Sequence, residues 1–162
     1  AISNGPSPTG APDCPSRPCR SRGGERLRQI YRHDCFYRDS AGQWQVKYLL
    51  VLTGTPDGDV VFRLLTSKAY GSPESPPCYH DNPYPGFYLG YLGGELTAKS
   101  WLDLRRQSDY DGVQFSKKHF PCVATLSKEI LCQALDCAAS ADDTTQQQER
   151  LIRDQRAALR CL

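Results

Sequence analysis

Two short apolar runs on either side of a turn constrain the fold of this chain most. They are residues 46–52 (VKYLLVL) and 60–65 (VVFRLL), and the segment 54–59 (GTPDGD) lies between them. Each run is rich in Val, Leu, Tyr and Phe and has the length of a strand rather than a helix. The Pro-Asp-Gly segment is typical of a tight connection. The sequence therefore predicts two adjacent strands at the centre of a sheet.

Polar residues stand at the ends of these runs. Lys47 is near the entrance of the first run, and Thr66, Ser67 and Lys68 follow the second. If the strands pair antiparallel, these polar ends can converge across the sheet.

The length of 162 residues suits one domain with a modest tail. No run approaches the roughly 18 apolar residues of a membrane helix. The first 30 residues lack the apolar core of a signal peptide. These features predict no membrane association and favour a cytoplasmic location.

The N-terminal stretch has the composition of a flexible leader. Residues 1–24 are rich in Pro and Gly, and arginines crowd the stretch 17–32. Such an arm can lie on a phosphate backbone or remain a solvated leader. We expect a leader at 1–24, a domain at 25–140 and a helical extension at 141–162.

The chain has eight cysteines. Their even number permits disulfides, but their spacing is scattered and gives a poor zinc pattern. A chain of this length does not need disulfide bonds in order to fold. We therefore expect mostly reduced cysteines, several of them in the core, and no metal or cofactor.

The remaining elements follow from patterns of apolar residues and turn signals. Strands are expected at 33–37, 88–92 and 96–105, with a possible short strand at 113–116 and a basic patch at 117–119. Ser127 is a helix N-cap, and Thr145 with Gln148 forms a possible capping box for a second helix that ends near Arg160.

A long aromatic loop covers residues 69–94. Its ring-bearing residues are Tyr70, Tyr79, His80, Tyr84, Phe87, Tyr88 and Tyr91. Loops of this length are usually functional or disordered, and aromatic residues argue against disorder. The rings either stack on unpaired bases or cover a barrel mouth or a subunit interface.

The order of these motifs resembles the MazF/PemK family of toxin endoribonucleases. The matching stretches are Lys47-Tyr-Leu-Leu-Val-Leu-Thr53, Arg63-Leu-Leu-Thr-Ser67, Ser100-Trp-Leu-Asp-Leu104 and Ala124-Thr-Leu-Ser-Lys-Glu129. Where the family carries Arg-Pro, this chain has Lys47-Tyr48. The resemblance implies a mainly β fold with α, namely a small SH3-like β-barrel with one packed helix, to which this chain adds a terminal helix.

The resemblance also implies a function and a site. Members cut single-stranded RNA without metal, act as homodimers and pair with an antitoxin protein. Lys47 takes the cation position and Thr66 the hydroxyl position, with Ser67 in support. His80 is a second candidate for the general base. The expected RNA contacts are Tyr79, Tyr84, Phe87, Tyr88 and Lys68.

A second hypothesis is a non-catalytic SH3-like module that binds a protein partner or nucleic acid through the aromatic loop. Lys47 is then an edge-strand charge and Thr66 an ordinary β-former. A shared solvent-accessible groove of Lys47 and Thr66 would favour the nuclease.

Overall fold

The computed structural model describes residues 26–56, 60–106 and 120–161. A 3-10 turn at Arg26–Arg28 leads directly into the first strand. The strands in these ranges are β1 (Gln29–Arg38), β2 (Trp44–Gly54), β3 (Val60–Thr66), β4 (Cys78–Tyr79), β5 (Gly86–Gly90), β6 (Ser100–Asp103) and β7 (Cys122–Thr125), and the helices are α1 (Lys128–Ala139) and α2 (Gln146–Ala158). The prediction of a mainly β fold with α is confirmed.

Some predictions concern residues outside the described ranges and stay predictions. They are the leader at 1–24, the turn residues 57–59, the short strand at 113–116 and the basic patch at 117–119.

The strands form one antiparallel sheet in the order β4-β5-β6-β3-β2-β1-β7. β4 and β7 are its two ends, so the described strands do not close into a barrel. The predicted SH3-like barrel is therefore corrected to an open sheet. The physical reason is that β4 has only two residues and pairs only with β5, so no ladder joins the two ends.

The central strands are buried on both faces, which explains their continuous apolar runs. Leu49 and Val51 of β2 pack on one face in a cluster with Phe120. Leu50 and Leu52 point to the opposite face and pack in the main core with residues of both helices. Alternation along the strand thus places two apolar layers on the two sides of β2.

Both helix starts follow the predicted capping patterns. Ser127 Oγ accepts a hydrogen bond from Ile130 N at 3.2 Å and caps α1. Thr145 Oγ1 accepts from Gln148 N at 3.1 Å, while Thr145 N donates to Gln148 Oε1 at 3.3 Å. This reciprocal pair is the predicted capping box of α2.

α2 packs on α1 and on β2. Ile152 of α2 is fully buried in the main core. The fully buried Arg63 of β3 donates from Nη2 to Thr144 Oγ1 at 3.2 Å and to Gln148 Oε1 at 3.3 Å. These contacts join the segment predicted as an extension to the centre of the sheet.

The six cysteines of the described ranges are disulfide-bonded, which corrects the expectation of mostly reduced thiols. Cys78–Cys137 joins β4 to α1, and Cys132–Cys161 joins α1 to the residue that follows the turn after α2. Cys35 and Cys122 are also in disulfides. The two bridges span 59 and 29 residues, so partners that are distant in sequence are brought together only by the fold.

Neither α1 nor α2 has the length and apolar content that a membrane-crossing helix requires.

Candidate functional site

A cavity of about 380 Å³ opens where β2 and β3 separate. The two strands pair from Gly54↔Val60 to Leu49↔Leu64. Beyond that point β3 changes its partner, and Leu65 and Thr66 pair with Leu102 and Trp101 of β6. The split between β2 and β3 leaves the space that the cavity occupies.

The antiparallel register places Lys47 and Thr66 on one side of this split. Each residue lies two positions beyond the Leu49↔Leu64 pair, so both side chains share the face of that pair. Lys47, Thr66, Ser67 and Lys68 all line the cavity. The two strand ends therefore converge as expected for antiparallel pairing.

The Lys47 ammonium is held close to the cavity without a neutralising partner. Within the described ranges, no carboxylate forms an ion pair with Lys47 or with Lys68. Lys47 Nζ lies 6.0 Å from the centroid of the Tyr37 ring. Lys47 is half-buried, so its charge is partly shielded from bulk water.

The hydroxyl of Thr66 is oriented by the turn after β3. Thr66 Oγ1 accepts a hydrogen bond from Lys68 N at 3.1 Å. Its own contact with the Lys68 carbonyl oxygen is 3.5 Å, which is long for a hydroxyl donor. The oxygen is thus fixed, while the hydrogen can be directed to an incoming acceptor.

The β5–β6 connection adds an acidic residue, Glu95, to the cavity lining. Arg32 Nη1 donates to Glu95 Oε1 and Oε2 at 2.9 and 2.8 Å. Arg32 Nε also donates to Asp34 Oδ1 at 2.6 Å. The hydrogen bond to Glu95 is the largest cause that raises the pKa of Arg32, against the opposing effect of burial.

Tyr48 also lines the cavity, and it lies opposite Arg32 in the β1–β2 ladder. Burial raises the pKa of the Tyr48 phenol, and the negative charge of Glu95 raises it further. Tyr48 therefore stays protonated at neutral pH and can donate a hydrogen bond.

An exposed stack of rings lies next to the cavity. The rings of Tyr70 and Tyr84 have centroids 4.6 Å apart and an interplanar angle of 25°. The guanidinium of Arg105 lies 4.9 Å from the centroid of Tyr84 and is ion-paired to Asp103. Tyr70 lines the cavity, and a smaller adjacent pocket is lined by both tyrosines and by Lys68.

The other predicted RNA contacts do not line the cavity. Phe87 is only 2% exposed and belongs to the main core, so its ring is not open to a base. Tyr88 is half-buried and its ring lies 5.1 Å from the Trp101 ring. Tyr79 is half-buried in β4. Of the five predicted contacts, only Lys68 and Tyr84 lie at the cavity or at its adjoining pocket.

His80 is also placed away from the cavity lining. Its Nε2 donates to the carbonyl oxygen of Cys137 at 2.9 Å and lies 3.3 Å from Cys78 Sγ. The ligand atoms of these three residues lie within 4.8 Å of one another, as in a metal site. The two sulfurs are bonded to each other, however, so neither is a thiolate ligand in this state.

Sequence reasoning missed Arg32, Tyr48 and Glu95 as site residues, and it named Tyr70 only as one ring of the aromatic loop. Glu95 follows two glycines in a connection with no motif of its own, and it is 63 residues from Arg32. Only the strand order brings these side chains together. The position of Tyr48 next to Lys47 was the one available signal.

Comparison of the chain with protein-family models, with curated proteins and with solved structures gives no match. The resemblance to the MazF/PemK family thus stays a prediction from motif order. The residues that line the cavity are the structural basis for a proposed function.

Proposed function

We propose that this chain is a metal-independent endoribonuclease that binds single-stranded RNA in the cavity and cleaves it through the ribose 2′-hydroxyl. The supporting observation is that Lys47, Thr66 and Ser67 line one cavity. Its volume of about 380 Å³ is in the usual range of small-molecule and cofactor pockets. The reaction yields a cyclic phosphate and a free 5′-hydroxyl.

The chemistry requires positive charge and hydrogen-bond donors where the phosphate gains negative charge. Lys47 supplies a cation that no described carboxylate neutralises. Thr66 and Ser67 supply hydroxyl donors from the same strand end. In this proposal Lys47 also gives a proton to the leaving 5′-oxygen.

The lysine limits how the phosphate is held. An ammonium acts as a compact charge and does not form the bidentate fork that an arginine makes with a phosphate. We therefore assign Lys47 to charge compensation and proton transfer, and we assign orientation of the phosphate to the hydroxyls of Thr66 and Ser67.

The exposed stack of Tyr70 and Tyr84 supports an unpaired strand as substrate. Aromatic side chains next to a cationic groove bind successive bases of single strands by stacking. Bases in a duplex are already stacked on each other and do not offer a free face. The exposed fractions of Tyr70 and Tyr84 are 51% and 36%, so the stack is accessible.

The biological setting is proposed from the family resemblance. The toxin role, the antitoxin partner, the homodimer and the cytoplasmic location rest on the family resemblance. The disulfide-bonded cysteines are instead typical of an oxidising compartment. If these bridges form in the cell, the protein acts outside the reducing cytoplasm.

Cleavage of RNA in EDTA tests the proposed function. Purified protein is incubated with a mixed-sequence single-stranded RNA, and the product ends are mapped. We expect 5′-hydroxyl and cyclic phosphate ends, and loss of cleavage in Lys47→Ala and Thr66→Ala. Lys128→Ala and Thr125→Ala are matched controls, because both residues are exposed and lie outside the cavity lining.

Tight binding of RNA or of a protein partner, without cleavage at any protein concentration, would contradict the nuclease. That result would favour the non-catalytic binding module instead.

A further inference from the structure

The cavity contains a carboxylate that the proposed chemistry has not used. Glu95 lines the cavity together with Lys47 and Thr66. A carboxylate beside a phosphate site weakens phosphate binding, since the two negative charges repel each other. Its presence there therefore suggests a role in the reaction.

The position of Glu95 is fixed from two directions. Arg32 Nη1 donates to both of its carboxylate oxygens, at 2.9 and 2.8 Å. The backbone of the connection is closed by a bridge between Gly93 and Leu96, with Leu96 N donating to Gly93 O at 3.0 Å. A side chain held by an arginine on a closed turn is preorganised and does not sample the cavity at random.

Attack by a 2′-hydroxyl without a metal needs a base that takes the hydroxyl proton. His80 does not line the cavity, and Lys47 serves as the acid in the proposed reaction. Glu95 is the one carboxylate among the residues that line the cavity. Its carboxylate accepts hydrogen bonds from Arg32.

We propose that Glu95 is the general base for the 2′-hydroxyl and that Arg32 is its positioning residue. This inference rests on the proposed ribonuclease function and adds to it the group that removes the proton.

The step is balanced in atoms and electrons. The 2′-hydroxyl proton moves to a Glu95 oxygen while the 2′-oxygen forms its bond to phosphorus. The bond from phosphorus to the 5′-oxygen breaks, and the leaving oxygen takes a proton from the Lys47 ammonium. Afterwards Glu95 returns its proton to water and Lys47 regains one, so no oxidant, reductant or metal is consumed.

The surroundings of Glu95 suit a carboxylate that works beside a phosphate. Arg32 and Asp34 of β1 and Tyr48 of β2 lie beside Glu95, and Lys47 and Lys68 line the same cavity. Two lysines and one arginine outnumber the acidic groups at this point. The protonated phenol of Tyr48 adds a donor for a phosphate oxygen.

The inference also defines the substrate class. A strand that lacks a free 2′-hydroxyl offers no proton to Glu95 and no nucleophile. We expect single-stranded DNA and 2′-O-methyl RNA to bind in the cavity and to remain intact.

The test compares Glu95→Gln with Glu129→Gln, an exposed glutamate in the first turn of α1. We expect Glu95→Gln to slow RNA cleavage by about 10²–10⁴-fold, the usual contribution of a general base. Its binding of 2′-O-methyl RNA should be unchanged or tighter, because a negative charge is lost. Glu129→Gln should cleave like the original protein.

The dependence of the cleavage rate on pH gives a second readout. The cleavage rate of the original protein should fall at acidic pH, because a protonated base cannot accept the 2′-hydroxyl proton. Arg32→Ala should shift this acidic limb and lower the rate, and Arg32→Lys should restore part of the loss. A merely structural role of Arg32 would lower the folded fraction without moving the limb.

Three results would overturn the inference. If Glu95→Gln cleaves within threefold of the original rate, or if the original protein shows no acidic limb, Glu95 is not the base and the ribonuclease function still stands. If the original protein does not cleave RNA at all, the proposed function fails and this inference fails with it.

Discussion

The ring of Tyr70 stacks on the ring of Tyr84 at the edge of the cavity, with centroids 4.6 Å apart. Tyr70 contributes to the lining of the cavity, whereas Tyr84 is covered by the guanidinium of Arg105. The stack therefore lies between the guanidinium of Arg105 and the cavity in which we expect the phosphate to bind. An unpaired base next to the scissile phosphate can extend this stack.

Removal of Tyr70 should weaken the binding of single-stranded RNA. Stacking contributes about 1–3 kcal/mol per base, so Tyr70→Ala should raise the Kd by roughly 5- to 150-fold. Fluorescence anisotropy with 2′-O-methyl RNA measures binding without cleavage. Tyr91→Ala is the matched control, because Tyr91 is 67% exposed and does not line the cavity. An equal loss in both variants would contradict a stacking role for Tyr70.

The contribution of Lys68 should appear in the salt dependence of binding. A lysine that contacts one phosphate of a single strand adds about 0.7 to the slope of log K against log salt. Lys68→Ala should therefore reduce the magnitude of the slope by about 0.7, and Lys128→Ala should leave it unchanged. A slope that does not change in Lys68→Ala would show that Lys68 does not contact a phosphate of the bound strand.

The sequence predicted those parts of the fold that are encoded locally. The caps at Ser127 and Thr145 depend on side chains within three residues of the groups they satisfy, so the motif alone defines them. The apolar runs of β2 and β3 likewise indicate two strands without reference to the rest of the chain. Pairing them antiparallel was enough to bring Lys47 and Thr66 to one cavity.

Features that depend on contacts between residues far apart in the sequence could not be predicted from the sequence. Glu95 meets Arg32 only because β6 pairs with β3 and β1 pairs with β2. Phe87 has the same ring as a surface stacking residue, and its burial is decided by the helices that cover β5. The disulfide partners lie 59 and 29 residues apart, and the spacing of cysteines does not encode such pairs.

Gln148 should matter more for stability than its neighbour on the same helix. It is buried, it completes the capping box of α2, and it accepts a hydrogen bond from the buried guanidinium of Arg63. Gln148→Ala should lower the free energy of unfolding by about 1–3 kcal/mol, since it leaves buried donors without this acceptor. Gln147 is exposed, so Gln147→Ala should change it by less than about 0.5 kcal/mol.

Urea denaturation of the two variants measures this difference. Equal stabilities would mean that the contact between Arg63 and Gln148 contributes nothing to the folded state.

The titration of Tyr48 should report the charge on Glu95. Burial and the Glu95 carboxylate both raise the pKa of Tyr48 above its usual value of 10.0. Glu95→Gln should move this pKa downward, because one of the causes that raise it disappears. Absorbance at the tyrosinate band is followed against pH, and subtraction of the curve of Tyr48→Phe isolates Tyr48.

The raised pKa of Tyr48 also makes the stability of the folded protein depend on pH. The folded protein holds the Tyr48 proton more tightly than the unfolded chain does. The resulting stabilisation is complete below the unfolded pKa near 10 and is lost as the pH rises through the folded pKa. Tyr48→Phe should therefore flatten the alkaline decline of stability, and an unchanged decline would contradict the assignment.

The Cys132–Cys161 bridge should contribute strongly to stability because it ties the end of the chain after α2 to α1. A crosslink over 29 residues removes loop entropy from the unfolded chain, which corresponds to about 3–4 kcal/mol. The double variant Cys132→Ala with Cys161→Ala should lose about this amount in urea denaturation. The single variant Cys161→Ala should lose nearly as much, because either change removes the same crosslink. A loss below about 1 kcal/mol, or a non-reduced digest without the linked peptides, would contradict the bridge.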